Sequence, residues 1–488
     1  MTRAEPGWND GAVETGDRMT TLDASFLWFE RPGIPVHLGA VAIFEGAPLK
    51  DAAGRLRIDD LRARIDAGLA ALPRLRRRLV SVPFGLDRPR WVDDTEFDIA
   101  RHVEAVEIPP PGDDSALRHL AERLHGEPLP RDRPLWHLTF VTGMTDGRIG
   151  LIERVHHSLV DGVSGVDAVA ILLDVEPDAP TPPGDRWQPA PTPPPAALAA
   201  DALFDRGIDA VRALRRTASA AIRPAETVHS ASVVASGLAS VVRDGLVAPP
   251  SSLNTSIGAG RRFAWVHARF RDAADVGHGV GGTVNDVVLS AVAGGLRYLL
   301  LGRGELVPHD LTLKVLVPVS VRRDEERGTL GNRVGSVFAA LPVGIGDPAR
   351  RLAQVTATTR SLKAGNEAAS TEMLLRAADA VPPGIGRVIV HAIDRQPFIN
   401  LIVTNVPGPQ FPLYALGARL LDAYPIVPLG ANLSVGVAIL SYDGALNIGF
   451  TADATQCRDV DTFAEGTARS LRQLGVDSRV VATDAAEG

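Results

Sequence analysis

Nine prolines fall within Glu176–Pro195, at positions 177, 180, 182, 183, 189, 191, 193, 194 and 195. Proline lacks a backbone N–H and has a fixed φ, so this stretch sustains neither helix nor sheet and reads as an extended crossover. It divides the chain into two blocks. With 488 residues the chain is too long for a single core, which fits that division. The first block is 19–176, with strands expected at Val36–Phe44 and Arg148–His157. Residues 177–260 form the linker and an alanine-rich segment, Ala196–Val247, expected to be helical with a break near Pro224. The second block, 261–475, offers strands at Leu313–Val319, Val334–Leu341, Asn400–Thr404 and Leu433–Leu440. Two blocks that each mix strands and helices imply paired α/β layers. No short-period repeat is present, which excludes a solenoid.

Bulk properties narrow the function. Hydrophobic residues make up 45% and charged residues 22%, a globular balance. A net charge of −7 provides no basic field for nucleic acid. The run Arg74–Arg78 is expected to be a solvated helix face. A single cysteine, Cys457, excludes an intrachain disulfide and a cysteine-rich metal site. Residues 1–18 are polar and acidic, so no secretory leader is expected. The longest uncharged windows, near Gln396–Ala418 and Ala423–Tyr442, are broken by prolines, whereas a spanning helix needs ~20 apolar residues. Any membrane contact should therefore be peripheral.

The chemistry concentrates at His156-His157-Ser158-Leu159-Val160-Asp161-Gly162. Alternation along Arg148–His157 places Leu151, Glu153, Val155 and His157 on one side, with Arg154 and His156 on the other. Adjacent histidines on a strand diverge and cannot converge on one metal, and further ligands at zinc spacing are missing. Val163–Leu173 then has helical periodicity, with Asp161 at its N-cap and Gly162 allowing close backbone approach. One imidazole is thus mounted at a strand end by a tight turn. Neutral imidazole accepts a hydroxyl proton at cellular pH, which makes His157 the candidate general base. A satisfied core histidine is the bland alternative, and the strand–turn–helix setting of all seven residues weighs against it.

Other matches carry less. Gly277–Gly282 fits G-x-G-x-x-G, but it does not directly follow a strand and lacks the acidic residue about twenty positions on. Neither a Walker A sequence nor a G-x-S-x-G elbow occurs. Ser158 has no support as a nucleophile.

The run HHSLVDG has the form HHxxxDG and keeps ordered company: Leu22–Phe26, Pro35–Gly39, Pro128–Pro130 before Arg133–Trp136, Thr283–Val287, Val317–Arg322, Gly331-Asn332, Thr404–Pro409 and Ser441–Gly444. On these motifs, spanning nearly the whole chain, it resembles the bacterial wax ester synthase/acyl-CoA:diacylglycerol acyltransferase family of the CoA-dependent acyltransferase superfamily. Val36 stands where that family often has methionine. The resemblance implies two chloramphenicol-acetyltransferase-like α/β (α+β) halves forming a pseudo-dimer around a central channel. It implies that His157 deprotonates an acceptor hydroxyl, which attacks an acyl-CoA thioester without a covalent acyl-enzyme. His156, Asp161 and Gly162 would support the site, and Asn285-Asp286 would line it from the second half. From the residues alone, Asn285-Asp286 could equally cap the helix leading into Val287–Ala293.

The expected activity is acyl-CoA-dependent O-acylation of diacylglycerol, long-chain alcohols, or both. Acyl-CoA is a co-substrate, and no cofactor or metal is expected. The alternatives are a carrier-protein-dependent ester or amide synthase and a non-catalytic lipid-binding relative. An apolar channel suits either acceptor, since burial stabilises an acyl chain by ~0.8 kcal/mol per methylene. The expected location is cytoplasmic, with peripheral contact at the inner membrane or lipid inclusions.

Overall fold

The computed structural model describes residues 16–31, 33–159, 173–184, 187–222, 247–320, 334–364, 396–430 and 432–481. In chain order the first block contains β1 (Asp17–Arg18), α1 (Thr21–Phe29), β2 (His37–Phe44), α2 (Ile58–Gly68), β3 (Arg77–Val80), β4 (Arg90–Asp93), β5 (Val103–Glu107), α3 (Asp114–His125), β6 (Trp136–Thr142) and β7 (Ile149–His156). A 3-10 turn, His157–Leu159, follows β7. Next comes α4 (Pro195–Ile222). The second block contains β8 (Arg261–Arg269), α5 (Phe270–Gly279), α6 (Val284–Gly302), β9 (Leu313–Ser320), β10 (Val334–Leu341), α7 (Pro348–Ala364), β11 (Leu401–Pro407), β12 (Tyr414–Ala415), β13 (Ala418–Ile426), β14 (Val435–Tyr442), β15 (Ala445–Asp453), α8 (Val460–Gln473) and β16 (Ser478–Val481).

Two mixed sheets organise the molecule. One has six strands in the order β12-β13-β2-β7-β6-β5, the other seven in the order β10-β9-β11-β14-β15-β8-β16. The expected half 261–475 does not keep to itself: β13 leaves it and pairs antiparallel with β2, Tyr424 opposite Val41. Gly449 on β15 permits this crossing, because a Cβ there would lie 1.9 Å from the Pro425 carbonyl oxygen. The halves are therefore joined by a strand as well as by the Pro-rich crossover.

Alternation along β7 separates two cores. Ile149, Leu151 and Val155 join Trp136, Phe140, Phe44 and Leu61 in the first core. Ile152 faces a different core, where Val41, Ile43 and Leu117 meet Phe263 and Trp265 of the second half. Trp265 stacks on Tyr424 there at 4.9 Å. Helix α3, capped by Asp113 accepting the Ala116 N–H, locks the same junction. Glu122 accepts the Phe263 N–H at 2.7 Å, and Arg118 donates to the Phe263 carbonyl at 2.9 Å.

The expectation for one basic run changes. Arg74–Arg78 is a 3-10 turn running into β3 rather than a solvated helix face. Arg76 is buried, donates to the Asp66 carbonyl at 2.9 Å, and lies over the Trp187 ring of the crossover. The Gly277–Gly282 run sits at the end of α5, a helix C-terminus rather than a strand-to-helix phosphate loop. Helix α6 is long and apolar enough to cross a membrane, yet 72% of its most apolar window is buried inside the protein.

Candidate active site

Strand β7 ends at His156, one residue earlier than the sequence pattern predicts, and His157 opens the 3-10 turn. The His157 N–H donates to the Val36 carbonyl at 3.0 Å, so the turn is tied to the chain just before β2. Its ring lies on the Phe26 ring, centroids 3.8 Å apart and planes at 21°. Burial pushes the His157 pKa down to about 4, opposed by a hydrogen bond from the ring to its own backbone. The ring is therefore neutral at physiological pH and keeps a basic nitrogen.

His156 is buried. Its Nδ1 accepts the Ser158 N–H at 3.1 Å and the Ser158 hydroxyl at 2.7 Å. An accepting Nδ1 places the proton on Nε2, which lies 3.6 Å from Glu30 Oε1. Opposite His156 in the β2–β7 ladder is His37. Its Nε2 lies 3.9 Å from the same carboxylate oxygen. Glu30 also pairs with Arg131. Burial, reinforced by neighbouring cationic and imidazole groups, holds both His37 and His156 well below the usual histidine pKa.

Helix α1 positions both histidines of the run. Thr20 caps its start by accepting the Asp23 N–H, and Glu30 is its C-cap. Phe26 and Glu30 are four residues apart and thus share a helix face. One meets the His157 ring and the other the His156 edge.

The other candidates occupy separate places. Asp286 is buried and fully engaged: Oδ2 accepts from the Thr283 N–H at 2.8 Å and hydroxyl at 3.0 Å, and Oδ1 accepts from the Thr359 hydroxyl at 2.6 Å. With the return bond from the Asp286 N–H, this is a capping box on α6. Asn285 Oδ1 accepts from Asn405 Nδ2 at 3.3 Å, linking two of the motifs. Among the described residues neither hydrogen-bonds to His157. Asp161, Gly162 and the expected helix Val163–Leu173 lie outside the described residues, apart from Leu173 itself. A small cleft lies between the two halves on the His37 side, lined by His37, His125, Arg261, Phe263 and Thr451 among others. No group of three or more His, Cys, Asp or Glu among the described residues is placed to hold a metal. Burial raises the Cys457 thiol to about 12, leaving it protonated and inert.

Sequence reasoning missed Phe26, Glu30 and Arg131. The only signal was Phe26 at the end of the motif Leu22–Phe26, to which no chemistry attached.

A family profile described as the wax ester synthase/diacylglycerol acyltransferase catalytic domain matches residues 19–288, and one described as the WS/DGAT C-terminal domain matches residues 330–475. A putative diacylglycerol O-acyltransferase of Mycobacterium tuberculosis is 31% identical over 488 residues, covering 96% of this chain and 91% of its own length. The structure of a wax ester synthase/diacylglycerol acyltransferase from Marinobacter aquaeolei VT8 superposes with a TM-score of 0.67 at 22% identity, over 94% of this chain and 98% of that one. A starter condensation domain of rhizomide synthetase, solved with C8-CoA and Leu-SNAC, gives 0.54 at 13% identity, over 96% and 95% of the two chains. These likenesses bear out the two-half α/β fold.

Proposed function

This chain belongs to the wax ester synthase/diacylglycerol acyltransferase family, and from that premise we propose that it transfers an acyl group from acyl-CoA to the hydroxyl of diacylglycerol, a long-chain alcohol, or both. The observation that carries the mechanism is the neutral imidazole of His157, buried and stacked on Phe26.

In this proposal the steps balance around one ring nitrogen, Nε2. Nε2 takes the acceptor hydroxyl proton as the oxygen attacks the thioester carbonyl carbon. The tetrahedral intermediate then expels CoA by C–S cleavage, and the proton on Nε2 passes to the departing thiolate. Base assistance of this kind contributes roughly a hundredfold to ten-thousandfold in rate. A pKa near 4 keeps the imidazole in its base form across the physiological range. The same depression makes the imidazolium a strong acid, which favours returning the proton to sulfur. Acyl-CoA acts as co-substrate with no further cofactor, in a channel between the halves. The cytoplasm, with peripheral contact at the inner membrane or lipid inclusions, belongs to the same proposal.

Purified protein assayed with palmitoyl-CoA against hexadecanol and dipalmitoylglycerol tests the reading and ranks the acceptors. Thiol release matched by ester formation supports it. No ester with either acceptor would overturn it.

A further inference from the structure

We propose that Glu30 is a positioning residue for the reaction: its carboxylate holds the Nε2–H tautomer of His156, and His156 through Ser158 fixes the turn that presents His157. The inference rests on His157 being the base.

The location of Glu30 is unfavourable on local grounds. It is the C-cap of α1, where the helix dipole repels a negative charge, and only 9% of its side chain is exposed. Arg131 compensates the charge from one side. On the other side stand two imidazole edges, His156 Nε2 at 3.6 Å and His37 Nε2 at 3.9 Å from Oε1. These separations are a few tenths of an ångström beyond hydrogen-bond length. They are short enough for an anion in a buried setting to favour a proton on the facing nitrogen.

The tautomer has a mechanical consequence. With Nε2 protonated, Nδ1 of His156 is an acceptor, and it receives the Ser158 N–H and hydroxyl. This bond runs from residue 156 to residue 158 and so brackets His157. The turn is held on its other side by the His157 N–H to Val36 bond. If the His156 proton moved to Nδ1, the Ser158 N–H would face another donor and the bracket would open. Ser158 is buried, so no water replaces the lost acceptor freely. A carboxylate that selects one tautomer of an imidazole thereby sets the direction of its neighbour's lone pair.

The test compares Glu30→Gln, Glu30→Asp and His157→Ala with the wild-type full-length chain. For Glu30→Gln we expect kcat to fall about tenfold to a hundredfold, the usual scale for a group that orients a functional one. KM for palmitoyl-CoA should stay within about twofold, since uniform binding is untouched. Glu30→Asp should recover part of kcat. The 15N shifts of His156 should show one Nε2–H tautomer in the wild type and a mixture in Glu30→Gln, a change that simple loss of packing does not produce. Wild-type kcat in Glu30→Gln, or an unchanged His156 tautomer, overturns the inference. Full activity in His157→Ala instead overturns the base assignment beneath it, so the two failures are distinguishable.

Discussion

The ring of His157 lies nearly parallel to that of Phe26, with centroids 3.8 Å apart. Phe26 belongs to α1, the first helix, and His157 follows β7 more than a hundred residues later. The stack does two things. It limits the imidazole to one plane, and it removes water from one face, contributing to the burial that lowers its pKa. Phe26→Ala should therefore cost kcat on the order of tenfold through lost orientation. It should also move the acid limb of kcat/KM upward, toward the ordinary histidine value near 6.5. Steady-state rates against pH for the two proteins check both effects together. A lower kcat with an unmoved limb would mean that Phe26 orients the ring without shielding it.

Replacing the base itself is the direct test of the chemistry. His157→Ala should lose roughly a hundredfold to ten-thousandfold in kcat while binding palmitoyl-CoA as before. His157→Gln keeps a polar side chain but has no basic nitrogen, and should be as inactive. Ester formation by either variant at the wild-type rate would remove His157 from the mechanism. Trapping after acid quench should find no acyl group on the wild-type protein, since attack on the thioester is direct.

The pH profile follows from the sign of the His157 shift. A base must be deprotonated, and burial lowers its pKa to about 4. Activity should thus persist as pH falls through 6.5 and decline only near 4, as kcat/KM reports the free enzyme. Because other buried histidines weaken the fold in that range, rates should be taken immediately after a pH jump. A limb centred near 6.5 in the wild type would show that the imidazole is solvated before substrate binds.

Much of this site was legible in the sequence, for physical reasons. Period-two alternation separated the two faces of β7, whereas His157 lies one residue past the strand and is placed by the 3-10 turn. The proline density told where one block ends. What the sequence hid depends on long-range contact. Glu30 reaches His156 across more than a hundred residues, and its own neighbours, Phe29 and Arg31, suggest only a helix end. Strand β13 pairs with β2 of the other block, and nothing local in its sequence announces that partner. Asp286 carried two readings from sequence, and the structure shows its oxygens occupied by Thr283 and Thr359.

Folding stability should carry two opposed pH dependences, and one substitution separates them. His102 and His125 are buried, and burial lowers them to about 4 and about 3. The unfolded chain takes up their protons as pH falls below about 6.5, while the folded protein does not. Their stabilisation is therefore lost as pH drops from 6.5 toward 4. Glu153, on the His157 side of β7, behaves in reverse. Burial raises it to about 8, and its Oε1 has no hydrogen-bond partner. The folded state keeps this carboxyl protonated while the unfolded chain releases the proton above about 4.5, so stability declines as pH rises from 4.5 to 8. Glu153→Gln removes only this second dependence. Relative to the wild type, its unfolding free energy should rise with pH between 5 and 8, by up to about 1.4 kcal/mol per pH unit. Urea midpoints of both proteins across that range provide the comparison. A difference that does not change with pH would mean that Glu153 is ionised in the folded protein and paired with a group from outside the described residues.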